Sequence, residues 1–126
     1  MKIKLASGRT LTVTSTRNNK DAPWQHCGIG YKVRVSVGKL TFSFDFWDSY
    51  SNMVNRVPCD ERGAASCWAS DVFAGMNANT ADDIASEFGY DKPSEAYRVF
   101  NGVKRAQAQA ERVGISESEL SELADY

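Results

Sequence analysis

Between Tyr31 and Phe46 lie two strictly alternating runs separated by two residues. The run Tyr31-Lys-Val-Arg-Val-Ser-Val37 is followed by Gly38-Lys39 and then by Leu40-Thr-Phe-Ser-Phe-Asp-Phe46. Successive side chains of a strand point to opposite faces, so each run has one apolar and one polar side. Two such runs joined by two residues, glycine first, predict a β-hairpin with a type II′ turn, whose twist matches that of the strands. The turn sets the register. Val37 faces Leu40, Val35 faces Phe42, Val33 faces Phe44 and Tyr31 faces Phe46 on one side, while Lys32 faces Asp45 and Arg34 faces Ser43 on the other. A slip of one residue would turn every aromatic into water, so the pairing is strongly specified.

Upstream, Lys2–Ala6 and Thr10–Thr14 also alternate. A three-residue loop Ser7-Gly8-Arg9 predicts a second hairpin with Leu5 opposite Leu11 and Ile3 opposite Val13. The stretch from Arg17 to Gly30 contains Asn18-Asn19, Pro23 and two glycines, and reads as a connecting loop that carries Trp24. The two hairpins predict an antiparallel sheet of about four strands with one apolar face, and such a face must be covered.

Helical spacing begins after residue 60. Trp68, Val72, Phe73 and Met76 recur at helical intervals within Gly63–Met76, with Gly75 and Asn77 as an exit. Thr80 caps a shorter predicted helix through Ile84 and Phe88 that stops at Gly89, with Asp82 and Asp83 at its positive end. The longest helix runs from about Pro93 to Val113, capped by Asp91. Its inner stripe is Ala96, Val99, Phe100, Val103, Ala106, Ala110 and Val113, and Arg98, Lys104, Arg105 and Arg112 point to solvent. Ser116-Glu-Ser-Glu119 is a capping box that opens a final acidic helix, about 116–125, after the Gly114 stop. The expectation is one α+β domain over residues 1–126. It has a β-rich half (1–47) and a helical half (63–126), with one sheet face covered by about three helices.

Composition agrees with this. A chain of 126 residues, 42% hydrophobic and 25% charged, has the makeup of one globular domain rather than of a disordered, collagenous or coiled-coil chain. Apolar runs fall far short of the roughly 20 residues that span a bilayer, and Met1-Lys2-Ile3-Lys4-Leu5 lacks the apolar stretch of a signal peptide, so a cytoplasmic protein without membrane contact is expected. Three cysteines, Cys27, Cys59 and Cys67, lack C-x-x-C spacing and share the chain with one histidine, His26, a pattern of reducing compartments. Metal binding is not expected, because adjacent His26 and Cys27 seldom reach one tetrahedral ion together. Cys67 reads as a small core residue on its helix, and Cys27 and Cys59 as loop thiols.

The chain carries none of the phosphate-cradle, nucleophile-elbow or zinc-protease motifs, and Gly28-Ile29-Gly30 is too short for a dinucleotide fingerprint. A Cys27–His26 nucleophile would need an unusual turn, since neighbours on extended chain point apart. Asp83 and Glu87 share a helix face, which reads first as a solvated acidic surface. No enzyme and no cofactor is expected.

Charge is unevenly distributed. Residues 1–47 hold eight basic and two acidic groups, whereas residues 48–126 hold seven basic and fourteen acidic ones. The basic half offers Lys2, Lys4, Lys32 and Arg34 on the polar side of the sheet, with Trp24 to stack a base, as a nucleic-acid-binding face. The acidic half offers Asp82, Asp83, Glu87, Glu117, Glu119 and Glu122 as a surface for basic grooves of a protein partner.

Several residues together resemble a family of small phage and prophage proteins. They are Pro23-Trp24, Tyr31-Lys-Val-Arg-Val, Leu40-Thr-Phe-Ser-Phe-Asp-Phe-Trp-Asp-Ser49, Asp71-Val-Phe-Ala, and Ser86-Glu-Phe-Gly-Tyr-Asp91 leading into Ser94-Glu-Ala-Tyr97. The likeness covers roughly residues 23–113. Its most specific element is the E-F-G-Y-D turn, which related sequences continue with Asp-Ser where this chain has Lys92-Pro93-Ser94. The resemblance implies origin in a mobile element. Small proteins of such elements are often accessory or anti-defence factors, anti-CRISPR proteins among them, which occupy surfaces of host complexes. It therefore implies a non-catalytic inhibitor or modulator of a host protein complex, such as a CRISPR-Cas effector or another nuclease. A nucleic-acid-binding accessory protein of a mobile element is the alternative.

Overall fold

In the computed structural model, which describes residues 1–18, 20, 27–77, 82–83 and 93–126, the two alternating runs from Tyr31 to Phe46 lie within the two longest strands of an antiparallel sheet. The strands are β1 (Lys2–Lys4), β2 (Thr10–Arg17), β3 (Cys27–Val37) and β4 (Leu40–Ser49), in the order β1-β2-β3-β4. Every predicted pair of the β3–β4 hairpin is present, from Val37 opposite Leu40 to Tyr31 opposite Phe46, with Lys32 opposite Asp45 and Arg34 opposite Ser43. Gly38 takes φ +60° while Lys39 stays at negative φ, as a type II′ turn requires.

The first hairpin departs from expectation. Ile3 faces Leu11 and Lys4 faces Thr10, so Leu5 does not pair with Leu11, nor Ile3 with Val13. The loop lies one residue earlier, at Ala6-Ser7-Gly8. The Leu5 N–H donates to the Arg9 carbonyl at 2.9 Å, the Gly8 N–H donates to the Leu5 carbonyl at 2.9 Å, and Gly8 takes φ +95°. Gly8 supplies the left-handed residue that closes a three-residue hairpin loop. The resulting shift is two residues, so face parity survives, and Ile3, Leu11, Val13, Val33, Val35, Val37 and Phe42 are all buried.

β3 begins four residues before Tyr31, and β4 continues three residues past Phe46, with a register irregularity between Cys27 and Gly30. A short helix, α1 (Tyr50–Val54), follows β4 directly and is capped by Ser49, whose hydroxyl accepts from the Asn52 N–H at 3.1 Å. Its approach to β3 depends on Gly28, where a Cβ would lie 2.7 Å from the Ser49 carbonyl oxygen and 2.9 Å from Met53 Cβ. Buried Asp48 holds this corner. Its carboxylate accepts from the Ser49 N–H at 2.8 Å, from Asn52 Nδ2 at 3.0 Å and, more weakly, from the Asp60 N–H at 3.5 Å. Asp60 in turn accepts from the Gly63 N–H at 2.8 Å at the start of α2 (Glu61–Asn77). A buried carboxylate surrounded by N–H donors is thereby satisfied at the junction of three elements.

The chain divides into two compact units, Met1–Ala65 and Ser66–Tyr126, and the boundary falls inside α2. The second unit contains most of α2, then α3 (Pro93–Val113) with the predicted bounds, and α4 (Glu117–Ala124). Thr80, Ile84, Phe88, Gly89 and Asp91 lie outside the described residues. Gly75 is a packing residue and not a helix exit: a Cβ there would lie 3.0 Å from both Val103 Cγ1 and the Val103 carbonyl oxygen, so its absence lets α2 and α3 approach. Trp68 Nε1 donates to Gln109 Oε1 at 3.0 Å across the same contact.

Lys104 does not point to solvent. Its Nζ donates to the Gly75 carbonyl at 2.9 Å, which satisfies an acceptor in the last turn of α2, and lies 5.7 Å from the centre of the Phe100 ring. Cys67 is exposed and Met76 is 47% exposed, so neither belongs to the core, whereas Trp68 and Val72 are buried. Gly114, at φ +68°, ends α3 in the left-handed conformation, with its own N–H and that of Ile115 both donating to the Ala110 carbonyl.

Asp71 lies three residues after Trp68 and four before Gly75, on the side of α2 that meets α3. Burial pushes its carboxyl up to about 6. The folded chain therefore holds this proton more tightly than the unfolded chain does. Stability from this group is highest below the ordinary carboxylate pKa near 4, declines as pH rises through about 6, and is flat above that.

Asp71→Asn is expected to raise stability at pH 7–8 by roughly 2–3 kcal/mol, from about two pH units at 1.36 kcal/mol each, and to flatten the profile between about pH 4 and 6. Urea titrations across that range check both. Asp48→Ala, which strands buried donors, should cost roughly 2–3 kcal/mol at constant m-value in the same assay.

Candidate functional site

The register that buries one side of the sheet places the other side's residues in rows. Lys2, Thr12, Ser36 and Thr41 form one row across all four strands, Thr14, Arg34 and Ser43 a second, and Thr16, Lys32 and Asp45 a third. Lys4 lies beyond the first row, opposite Thr10. Lys2, Lys4, Lys32 and Arg34 are all exposed, so this face is open to solvent. Lys32 and Arg34 stand about 7 Å apart along β3, and Lys2 about 12 Å from Arg34, given ~3.4 Å per residue and ~4.8 Å between strands. Hydroxyl groups of Thr12, Thr14, Thr16, Ser36, Thr41 and Ser43 fill the space between them.

Asp45 is the acid of this face, and it is engaged by neighbours from the end of β2. Lys20 Nζ pairs with its Oδ2 at 2.8 Å and Asn18 Nδ2 donates to its Oδ1 at 3.3 Å. Among the described residues no ion pair occupies Lys2, Lys4, Lys32 or Arg34. Four cations around one already neutralised acid produce a positive field that suits polyanions.

Beyond Asp45 on the same face, Trp47 stands opposite Gly30. A Cβ at Gly30 would lie 2.9 Å from Trp47 Nε1 and in collision with Asn18 Oδ1, so the bare glycine is what lets the indole edge settle onto the strand. The Nε1 atom is buried while the residue as a whole is only half-buried, which leaves part of the ring at the surface. Sequence reasoning misses Trp47 as a functional residue because the alternating run ends at Phe46. Its odd position, shared with Ser43 and Asp45, is the signal that could have found it.

The sequence matches no family model, no curated protein and no solved structure.

The acidic candidates are distributed differently. Asp82, Asp83, Glu117 and Glu122 are exposed. Glu119 is not: it is 5% exposed, and its Oε1 accepts from the Ser116 N–H at 3.0 Å while its own N–H donates to the Ser116 hydroxyl at 3.3 Å. The capping box occupies Glu119 and removes it from any contact surface. Glu87, Trp24 and His26 lie outside the described residues, and Cys27 opens β3.

Cys59 is half-buried beside the Asp48 corner. Burial, together with the carboxylates of Asp48, Glu61 and Asp60, holds its thiol above the ordinary value against the opposing hydrogen bond with Ser15. A thiol in this environment stays protonated near neutral pH and is a poor nucleophile. Among the described residues no three His, Cys, Asp or Glu side chains are arranged to hold a metal ion, and no helix is long and apolar enough to cross a membrane.

Loss of the cap separates structure from contact in the acidic set. Ser116→Ala should lower stability by about 1 kcal/mol by urea titration, and Glu119→Gln, which keeps an acceptor for the Ser116 N–H, by less.

Proposed function

We propose that this chain is a non-catalytic binding protein whose open sheet face engages the phosphate backbone of a nucleic acid. The observation that carries the reading is the convergence of Lys2, Lys4, Lys32 and Arg34 on one exposed face whose acid, Asp45, is already paired. The resemblance of residues 23–113 to small phage and prophage proteins supports an accessory role in a mobile element, exercised in the host cytoplasm. The hydroxyl-rich rows between the cations fit this role, since threonine and serine donate to phosphate oxygens and fix register without reading sequence.

A second reading is that the chain inhibits or modulates a host protein complex, such as a CRISPR-Cas effector or another nuclease. The exposed carboxylates Glu117 and Glu122 on α4, with Asp82 and Asp83, favour it. The acids would then occupy a basic groove that otherwise receives nucleic acid. Reversing charge at these four positions should abolish inhibition, and unchanged inhibition would overturn this second reading.

For the first reading, binding to both single-stranded and duplex DNA is measured by fluorescence anisotropy across a salt series. Engagement of about four phosphates predicts a slope of log K against log salt near −3 to −4, and the double variant Lys32→Glu/Arg34→Glu should roughly halve that slope. A slope near zero, or one that the double variant leaves unchanged, would overturn the proposal.

A further inference from the structure

We propose that Trp47 is a base-stacking platform at one end of the basic face, which makes that face a receptor for single-stranded polynucleotide. The inference rests on the phosphate-binding reading above and names the class of strand the face would take.

Three observations carry it. The first is placement: Trp47 shares its face with Ser43 and Asp45, and its partner across the ladder, Gly30, is two residues from Lys32 and four from Arg34 on β3. The ring thus lies in line with two cations about 7 and 14 Å away along the strand. The second is support. Gly30 offers no side chain, so the Nε1 edge of the indole lies close over its backbone, where an added Cβ would meet both Nε1 and Asn18 Oδ1. Asn18 is itself tied down, through its Nδ2 to Asp45 and through its Oδ1, which accepts from the Lys20 N–H at 3.1 Å. A ring braced at one edge loses little freedom when a base stacks on it. The third is exposure: the largest side-chain type stands partly exposed among hydroxyls and charges, on the face opposite the buried valines and Phe42.

Single strands follow from the chemistry. Bases in a duplex are stacked on one another and turned away from a ring on an open sheet, whereas an unpaired base presents a π-face that an indole can cover while flanking phosphates meet Lys32 and Arg34. Stacking is tolerant of base identity, so this site would distinguish single strand from duplex rather than one sequence from another.

The experiment compares the full chain with four probes of matched charge: oligothymidine and oligouridine of about 15 nucleotides, an abasic strand of equal length, and a duplex. We expect single strands to bind roughly 5- to 100-fold more tightly than the abasic strand. Trp47→Leu should remove that difference while leaving abasic and duplex affinity unchanged, and Trp47→Phe should retain most of it. Oligothymidine and oligouridine together establish whether DNA, RNA or both are taken. Equal affinity of the native protein for all four probes would overturn stacking and leave the phosphate-binding reading standing. Stacking on Trp47 is likewise overturned if the single-strand preference survives in Trp47→Leu. Absence of binding to every probe would overturn both. The abasic comparison uses the native protein, so equal affinities there overturn stacking even if the leucine variant fails to fold, and Trp47→Phe against Trp47→His then assigns a preference that is seen to this ring.

Discussion

The two-residue turn at Gly38-Lys39 is the constraint on which the sheet depends. Gly38 at φ +60° sets the hand of the turn, the turn sets the register, and the register assigns every side chain from Tyr31 to Phe46 to one of two environments. A strand has only two faces, so one correct turn decides both what is buried and what is offered to solvent. β2 then inherits the assignment by pairing Val13 with Val35 and Thr14 with Arg34, and β1 inherits it from β2. The basic face and the apolar core are two consequences of a single geometric choice.

Where backbone polar groups come to an end, single charged side chains take over. Asp48 gathers N–H donors where β4 runs into α1 and toward α2, and Lys104 supplies a donor to a carbonyl in the last turn of α2. In both cases an ion offsets its own desolvation by satisfying groups that a helix leaves without internal partners. Asp71 shows the opposite case, a carboxyl whose burial raises its pKa, and its cost is borne at neutral pH.

The longest elements are legible in the sequence because their signals are redundant. Alternation, turn chemistry and aromatic placement all specify the β3–β4 pairing, and Pro93 and Gly114 bound α3. Short features are not legible. Five residues of α1 contain no full apolar period, and their one local signal, Ser49 as cap, gains meaning only once Asp48 and Gly28 have closed the corner. The first hairpin loop sits one residue from its expected place because glycine specifies the turn but not which neighbour begins it. Lys104 lies off the apolar stripe of α3, yet its stem is long enough to bring the ammonium back to α2. Two roles compete for the single carboxylate of Glu119, and the local cap takes it. Trp47 is hidden by the end of a pattern: the alternation closes at Phe46, and only the odd position shared with Ser43 and Asp45 hints at the face it takes.

The outer strand β1 has only three residues, and two of them are Lys2 and Lys4. A sheet that ends in a long, uncharged strand invites another copy to hydrogen-bond along it, whereas a short strand studded with lysines repels such growth. The cations that make the open face attractive to a polyanion therefore also keep this border of the sheet from propagating between molecules. Once a polyanion neutralises them, that electrostatic barrier is lost and only the shortness of the strand remains to keep neighbouring copies apart.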